Sequence, residues 1–234
     1  MKTHHKNSER QVKKVFQDVF DKYDLMNDLM SLGVHRFWKK KFVDWLNPQE
    51  NTKLIDVASG TGDIAKLFLE KIDYKGSVNC VDENEGMLKL SKKKFKKFSN
   101  VKFFCNNAEK LPFKDNYFDY YTISFGIRNV NNIYNALGEA YRVLKPGGRF
   151  LCLEFSKVEN EILNKFYQIY SKSIPKIGKL VVGNSEPYEY LVKSINDFYS
   201  QKELLNLLKK QNFTNLSFRN LSGGIVAIHS AWKI

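Results

Sequence analysis

Apolar positions at the start of the chain recur at helical spacing. Val12, Val15, Phe16, Val19 and Phe20 make one apolar face, Leu25, Met26, Leu29 and Met30 a second, and residues 37–46 predict a further helix ending at Asn47-Pro48. The period then changes. Residues 53–58 are a short β-rich run closing on Ser59-Gly60-Thr61-Gly62-Asp63, and 64–71 follow as a helix. Strands at 77–82, 101–105, 118–124 and 150–155 alternate with helices at 85–97 and 133–144, the latter stopped by Lys145-Pro146-Gly147-Gly148. This βαβ alternation predicts a parallel sheet with helices on both faces. Residues 158–199 break it as a helical, aromatic insertion. Ser200 and Glu203 then form a capping box for a helix through residue 210, and 213–219 and 224–232 predict a terminal hairpin turning at Ser222-Gly223-Gly224.

Length and composition narrow this only a little. At about 150 residues per domain, 234 residues suit one α/β domain with a minor appendage. A content of 43% hydrophobic and 27% charged residues excludes a disordered or fibrous chain. Cys80, Cys105 and Cys152 form no CxxC pair and each lies in an apolar run, so they are expected as buried thiols of a reducing compartment, with no metal site. No run reaches the length of a membrane span, and the first fourteen residues lack the apolar core of a signal peptide, so the expected place is the cytoplasm. Charge is the outlier, at +13. It is carried by lysine far more than arginine, which leaves open compositional drift, attraction to an anionic membrane and nucleic acid.

The strongest local signal is strand, Asp56-x-Ala58-x-Gly60-x-Gly62-Asp63, helix. Glycines there let a ligand approach the backbone. The pattern alone also fits dinucleotide enzymes, but the third glycine of GxGxxG is absent and Asp63 would repel a pyrophosphate. A ligand with an ammonium group and no phosphate suits Asp56 and Asp63 better; S-adenosylmethionine is one. Asp82 ends the next strand, where a carboxylate can accept both ribose hydroxyls. Asn107-Ala108 follows the third strand, where an amide and backbone N–H groups can read an adenine edge. The three loops together resemble a class I, seven-stranded methyltransferase: a Rossmann-like, doubly wound α/β sheet with an antiparallel C-terminal hairpin.

A closer resemblance follows from longer segments. Tyr23-Asp24-Leu25-Met26-Asn27-Asp28-Leu29-Met30-Ser31-Leu32-Gly33-Val34-His35-Arg36, Ile123-Ser124-Phe125-Gly126-Ile127-Arg128-Asn129-Val130, and Tyr141-Arg142-Val143-Leu144-Lys145-Pro146-Gly147-Gly148-Arg149 with Leu153-Glu154-Phe155-Ser156 resemble signatures of the ubiquinone/menaquinone C-methyltransferases. Pro175-x-Ile177-Gly178 and residues 223–229 continue the match, which covers about residues 10–230 in order. The resemblance implies S-adenosylmethionine-dependent C-methylation of a polyprenylated quinol, demethylmenaquinol or 2-polyprenyl-6-methoxy-1,4-benzoquinol, in respiratory quinone synthesis. It places Thr61, Asp82, Asn107, Ala108 and Ser124 at cofactor-contact positions, beside Asp56, Gly60 and Gly62. Ser59 stands where another glycine is common, and Asn107 where many methyltransferases carry Asp. The implied organisation is a single methyltransferase domain over 1–234: a helical lid at 1–50, a cofactor-binding half at 51–157, a substrate-side insertion at 158–199, and a terminal helix and hairpin at 200–234.

The chemistry requires a phenolate to be stabilised and a ring proton to be accepted. Arg128 is expected to hold the phenolate and Asn129 to orient the ring, against the alternative that Arg128 pairs with a helix carboxylate. Arg is too basic to be an ordinary base. His35 is either the proton acceptor or structural; His229 is expected to be structural, and Tyr23 and Asp24 to help close the lid. Leu and Met of the first helices, with Phe166, Tyr167, Tyr170, Ile174, Tyr188 and Tyr190, are material for a prenyl channel or plain core. The lysine clusters at 39–41 and 92–97 offer transient contact with an anionic membrane surface. A homodimer and a quinone-synthesis complex both stay open. A nucleic-acid methyltransferase is disfavoured, because Ser124-Phe125-Gly126-Ile127 replaces the Asn/Asp-Pro-Pro-aromatic segment used for base amines. A non-catalytic scaffold is disfavoured by the intact glycine turn and Asp82.

Overall fold

The structure, a computed structural model, describes residues 31, 33–183 and 185–234. The two helical segments expected before residue 31, with Tyr23 and Asp24, lie outside these. Helix α1 (His35–Leu46) leads into strand β1 (Thr52–Val57), α2 (Asp63–Lys71), β2 (Gly76–Asp82), α3 (Glu85–Lys94), β3 (Val101–Cys105) and β4 (Phe118–Ser124). A 3-10 turn at Ile127–Asn129 precedes α4 (Ile133–Val143) and β5 (Leu144–Phe155). Then come α5 (Glu161–Val182), α6 (Glu186–Asp197), α7 (Gln201–Lys210), β6 (Thr214–Leu221) and β7 (Val226–Trp232).

The seven strands form one sheet in the order β3-β2-β1-β4-β5-β7-β6. The first five are parallel; β7 runs antiparallel to β5, and β6 antiparallel to β7. Alternate side chains of each strand enter opposite cores. Leu54, Val78, Leu151 and Ile228 meet Trp38, Phe42 and Phe68 from α1 and α2. Ile55, Tyr121, Phe150 and Cys152 meet Leu137 and Ala140 of α4 and Leu204 and Leu208 of α7. With both faces covered, central strands read as continuous apolar runs. The capping box is present, Ser200 accepting from the Glu203 N–H and Glu203 from the Ser200 N–H.

Three local expectations change. Helix α3 ends at Lys94, three residues early. The Lys145-Pro146-Gly147-Gly148 segment does stop α4, but the strand already begins at Leu144: the β4–β5 register jumps from Phe118↔Leu144 to Tyr120↔Arg149, so the segment is bulged out. Cys80 and Cys152 are buried, whereas Cys105 is exposed, because it ends the edge strand β3.

Candidate active site

The loops that follow β1, β2, β3 and β4 open at the C-terminal edge of the parallel strands, the usual ligand side of such sheets. After β1 the chain turns through Ala58 (φ 52), Gly60 (φ 54) and Gly62 (φ 81). Gly62 caps α2, and a Cβ there would lie 2.6 Å from both Phe95 and the Ser91 hydroxyl, so glycine is required by conformation and by space. Asp82 ties this turn to β2, its two oxygens accepting from Gly60 N–H at 2.8 Å and Asn84 N–H at 2.9 Å. The helix-capping duty belongs to Asn84, which accepts from Met87 N–H. Burial raises the Asp82 carboxyl, against these two bonds.

Asp56 is buried in the sheet. Its Oδ1 accepts from Thr122 at 2.8 Å, while Oδ2 is buried with no hydrogen-bond partner among the described residues. Burial pushes this carboxyl up to about 7, with the Thr122 bond opposing. Ser124, the last residue of β4, likewise has a buried hydroxyl without a partner among the described residues. Such orphaned acceptors at strand ends fit a polar, cationic ligand. Asp63 does not join them. It is held by Lys39 of α1 at 2.8 Å and Lys94 of α3 at 2.6 Å, and these pairings outweigh burial to depress its pKa. The expectation that Asp63 faces an ammonium group is corrected: its charge is matched internally.

Thr61 is half-buried in the turn and Ala108 buried beyond β3. Asn107 turns its side-chain oxygen onto Glu109 and Lys110 N–H, at 3.1 and 3.0 Å. The oxygen is therefore committed to the loop, and the amide NH₂ is the end left for a ligand edge.

Beyond β4, Phe125 takes φ 55 and bonds to Leu153 O, and Gly126 lies so close to Ala58 that a Cβ would be 2.3 Å from the Ala58 methyl. This close approach brings the β1 and β4 loops together. Arg128 donates to Phe125 O and to Glu154 Oε1, both at 2.7 Å. Its partner is thus a carboxylate of β5 rather than of a helix, and its Nε is buried without a partner among the described residues. Asn129 Oδ1 accepts from Tyr190 of α6 at 3.0 Å, joining the turn to the insertion. A cleft of about 150 Å³ beside Arg128 is lined by Tyr134, Phe198 and Tyr199 among others.

The aromatic insertion divides. Tyr167, Ile174, Tyr188 and Tyr190 are buried, but Phe166 is 68% exposed and lines no interior channel. Burial, partly offset by Arg128, lifts the Tyr167 phenol to about 12. His35 is buried with Nδ1 3.0 Å from the Ser31 hydroxyl. His229 donates from Nε2 to Gln201 O. Among the proposed membrane lysines, Lys39 is buried on Asp63, while Lys40 and Lys41 are exposed. Sequence reasoning missed Glu154. A lone acid inside Phe150-Leu151-Cys152-Leu153-Glu154-Phe155 was the available signal, since a charge in a buried strand needs a partner.

Residues 3–233 match the model of the ubiE/COQ5 methyltransferase family. The chain belongs to that family. The ubiquinone/menaquinone biosynthesis C-methyltransferase UbiE of Rickettsia bellii is 54% identical over 230 residues, 95% of this chain and 92% of that protein. Among solved structures, a SAM-dependent methyltransferase from Thermotoga maritima superposes with a TM-score of 0.68 at 20% identity, covering 94% of this chain and 99% of that one. Phosphoethanolamine N-methyltransferase 2 of Haemonchus contortus, in complex with S-adenosyl-L-methionine, gives 0.61 at 15% identity over 84% of this chain and 52% of that one. These likenesses share the class I methyltransferase fold, and the family's donor is S-adenosylmethionine. Among the described residues, no helix is long and apolar enough to cross a membrane.

Proposed function

We propose that this chain, acting as one methyltransferase unit over 1–234, C-methylates the ring of a polyprenylated quinol. The acceptor class is demethylmenaquinol or 2-polyprenyl-6-methoxy-1,4-benzoquinol, in respiratory quinone synthesis. The near full-length correspondence with a curated quinone-biosynthesis C-methyltransferase carries this reading. Bound S-adenosylmethionine supplies an electrophilic sulfonium methyl group. The orphaned Asp56 Oδ2 supports a role for Asp56 at the cofactor's ammonium group. Asp82 accepts the ribose hydroxyls, the Gly60-Thr61-Gly62 turn backs the cofactor, Asn107 and Ala108 meet the adenine, and Ser124 lies beside the reacting end.

At the acceptor, the ring hydroxyl gives up its proton, the ring carbon takes the methyl, and the displaced ring proton leaves to a base. Arg128 holds the phenolate through the donors that Glu154 and Phe125 do not occupy, in a buried setting where a fixed cation counts for more than in water. Asn129, fixed by Tyr190, orients the ring. The tail makes the acceptor a membrane lipid, so the enzyme works from the cytoplasm as a transient visitor to the membrane surface.

The test is transfer of a labelled methyl group to short-tailed demethylmenaquinol and 6-methoxy-benzoquinol in parallel, with Arg128→Ala as control. Ring methylation lost in the variant is the expected result. No transfer to either acceptor with cofactor binding intact overturns the assignment.

A further inference from the structure

Helix α5 presents two faces of opposite use. Tyr167, Ser171 and Ile174 are buried, and the Tyr167 phenol lies within reach of the Arg128 charge. On the outer side Ile162, Phe166 and Ile169 are 69, 68 and 69% exposed. Their spacing of four and three residues confines them to a sector of about 60° at 100° per residue. Lys165, Lys172, Lys176 and Lys179, all exposed, project along one flank of that stripe.

Helices α5 and α1 meet at one turn. Trp38 of α1 donates to Ser222, while Leu163 of α5 packs against the backbone of Gly223 in the same turn. Phe37, next to Trp38 in sequence, is 53% exposed. Lys41 lies over the Phe37 ring, repeating the pairing of apolar side chain and ammonium group.

We propose that α5 is an interfacial helix. Its Ile162, Phe166 and Ile169 stripe enters the acyl boundary of an anionic bilayer, and its lysine row meets the headgroup phosphates. Apolar stripe and cationic flank are the two elements that such helices combine, and long lysine stems let the charge reach the headgroup level. Charge decides between a bilayer and a second copy of the chain. A two-fold contact through this face would crowd lysine rows on a molecule already at +13, whereas anionic lipid neutralises them. The bilayer would lie on one side of the helix and Arg128 on the other, so a prenylated ring has a short path inward. That last step rests on the function proposed above; the docking surface does not.

The experiment uses the full chain with phosphatidylcholine vesicles, with and without phosphatidylglycerol. Binding is expected only to the anionic vesicles and to weaken with salt. Ile162→Ser/Phe166→Ser/Ile169→Ser and Lys165→Glu/Lys172→Glu/Lys176→Glu should each lose on the order of a hundredfold in partitioning. A Phe166→Trp variant should be quenched by brominated acyl chains beyond the quenching of the native tryptophans. Turnover of a water-soluble, short-tailed acceptor should stay at the parent level in the serine variant, which separates loss of docking from loss of catalysis. Vesicle binding unchanged in both triple variants, or an unquenched Phe166→Trp, overturns the proposal. So does a parent dimer that the serine variant converts to monomer, since the stripe would then be covered by a second copy.

Discussion

The Arg128 guanidinium sits 2.7 Å from the Glu154 carboxylate, with the two side chains only 4% and 1% exposed. Neither charge can be removed alone without stranding the other in a dry interior. Glu154→Ala should therefore cost about 3–5 kcal/mol of stability and release Arg128 from its place after β4. Glu154→Gln keeps an acceptor oxygen and should lose less. With Arg128 in the role proposed above, loss of Glu154 should lower kcat while leaving the KM for S-adenosylmethionine near the parent value. Denaturant titration with steady-state kinetics checks this. A Glu154→Ala protein of parent stability and parent kcat would remove the pair from the mechanism.

Asp56 in the role proposed above should give cofactor binding a pH dependence. Burial lifts its carboxyl to about 7, so near neutrality much of it is protonated. An ammonium group beside Oδ2 favours the ionised form, so cofactor binding below that pH should release a proton. Affinity should rise about tenfold per pH unit up to about 7 and level off above it. Asp56→Asn should bind weakly and without that slope. Calorimetry in buffers of different ionisation enthalpy measures the proton directly; an affinity flat from about pH 5.5 to 8 would place Asp56 away from the ammonium group.

Gly126 allows the β1 and β4 loops to touch. Its φ of −118° suits any residue, so only space requires glycine there. Gly126→Ala puts a methyl 2.3 Å from that of Ala58. Overpacking of this kind costs about 1–3 kcal/mol, and the displaced loop carries both Ser124 and Arg128. The expected result is a raised KM for S-adenosylmethionine together with a lowered kcat. Parent kinetics in this variant would mean that the two loops need not meet.

What could be read in the sequence was whatever is written locally. The strand–glycine–helix turn, Asp82 closing β2, the Ser200–Glu203 box and the terminal hairpin each depend on residues a few positions apart. The pairs that shape the site are distant: Lys39 with Asp63, Thr122 with Asp56, and Arg128 with Glu154 are set by sheet order and helix placement, which periodicity does not encode. Asp63 misled for this reason, since its lysines come from two other elements. Phe166 misled differently. Residues 161–182 are apolar on two sides, and the pattern does not say which side meets the core.

His229 and Asp56 should oppose each other in acid. Burial lowers the His229 pKa from 6.5 to about 4, against the bond to Gln201 O. The unfolded chain then takes the proton first, so the neutral imidazole's contribution is complete above about pH 6.5 and is lost as pH falls toward 4, at about 3 kcal/mol. Asp56 has the reverse sign. Its folded pKa of about 7 lies above the ordinary aspartate value of 3.8, so its contribution is complete below about pH 4 and is lost as pH rises through 7. The two windows nearly coincide, and their slopes partly cancel in the parent. His229→Gln should therefore gain stability relative to the parent as pH falls, and Asp56→Asn should lose it. Because the residues sit on β7 and β1 without a shared partner, the double variant should show the sum of the two changes. Urea unfolding at about pH 4.5 and 7.5 measures both slopes. Slopes of the same sign in the two single variants would show that one of these groups is not buried in the form its neighbours dictate.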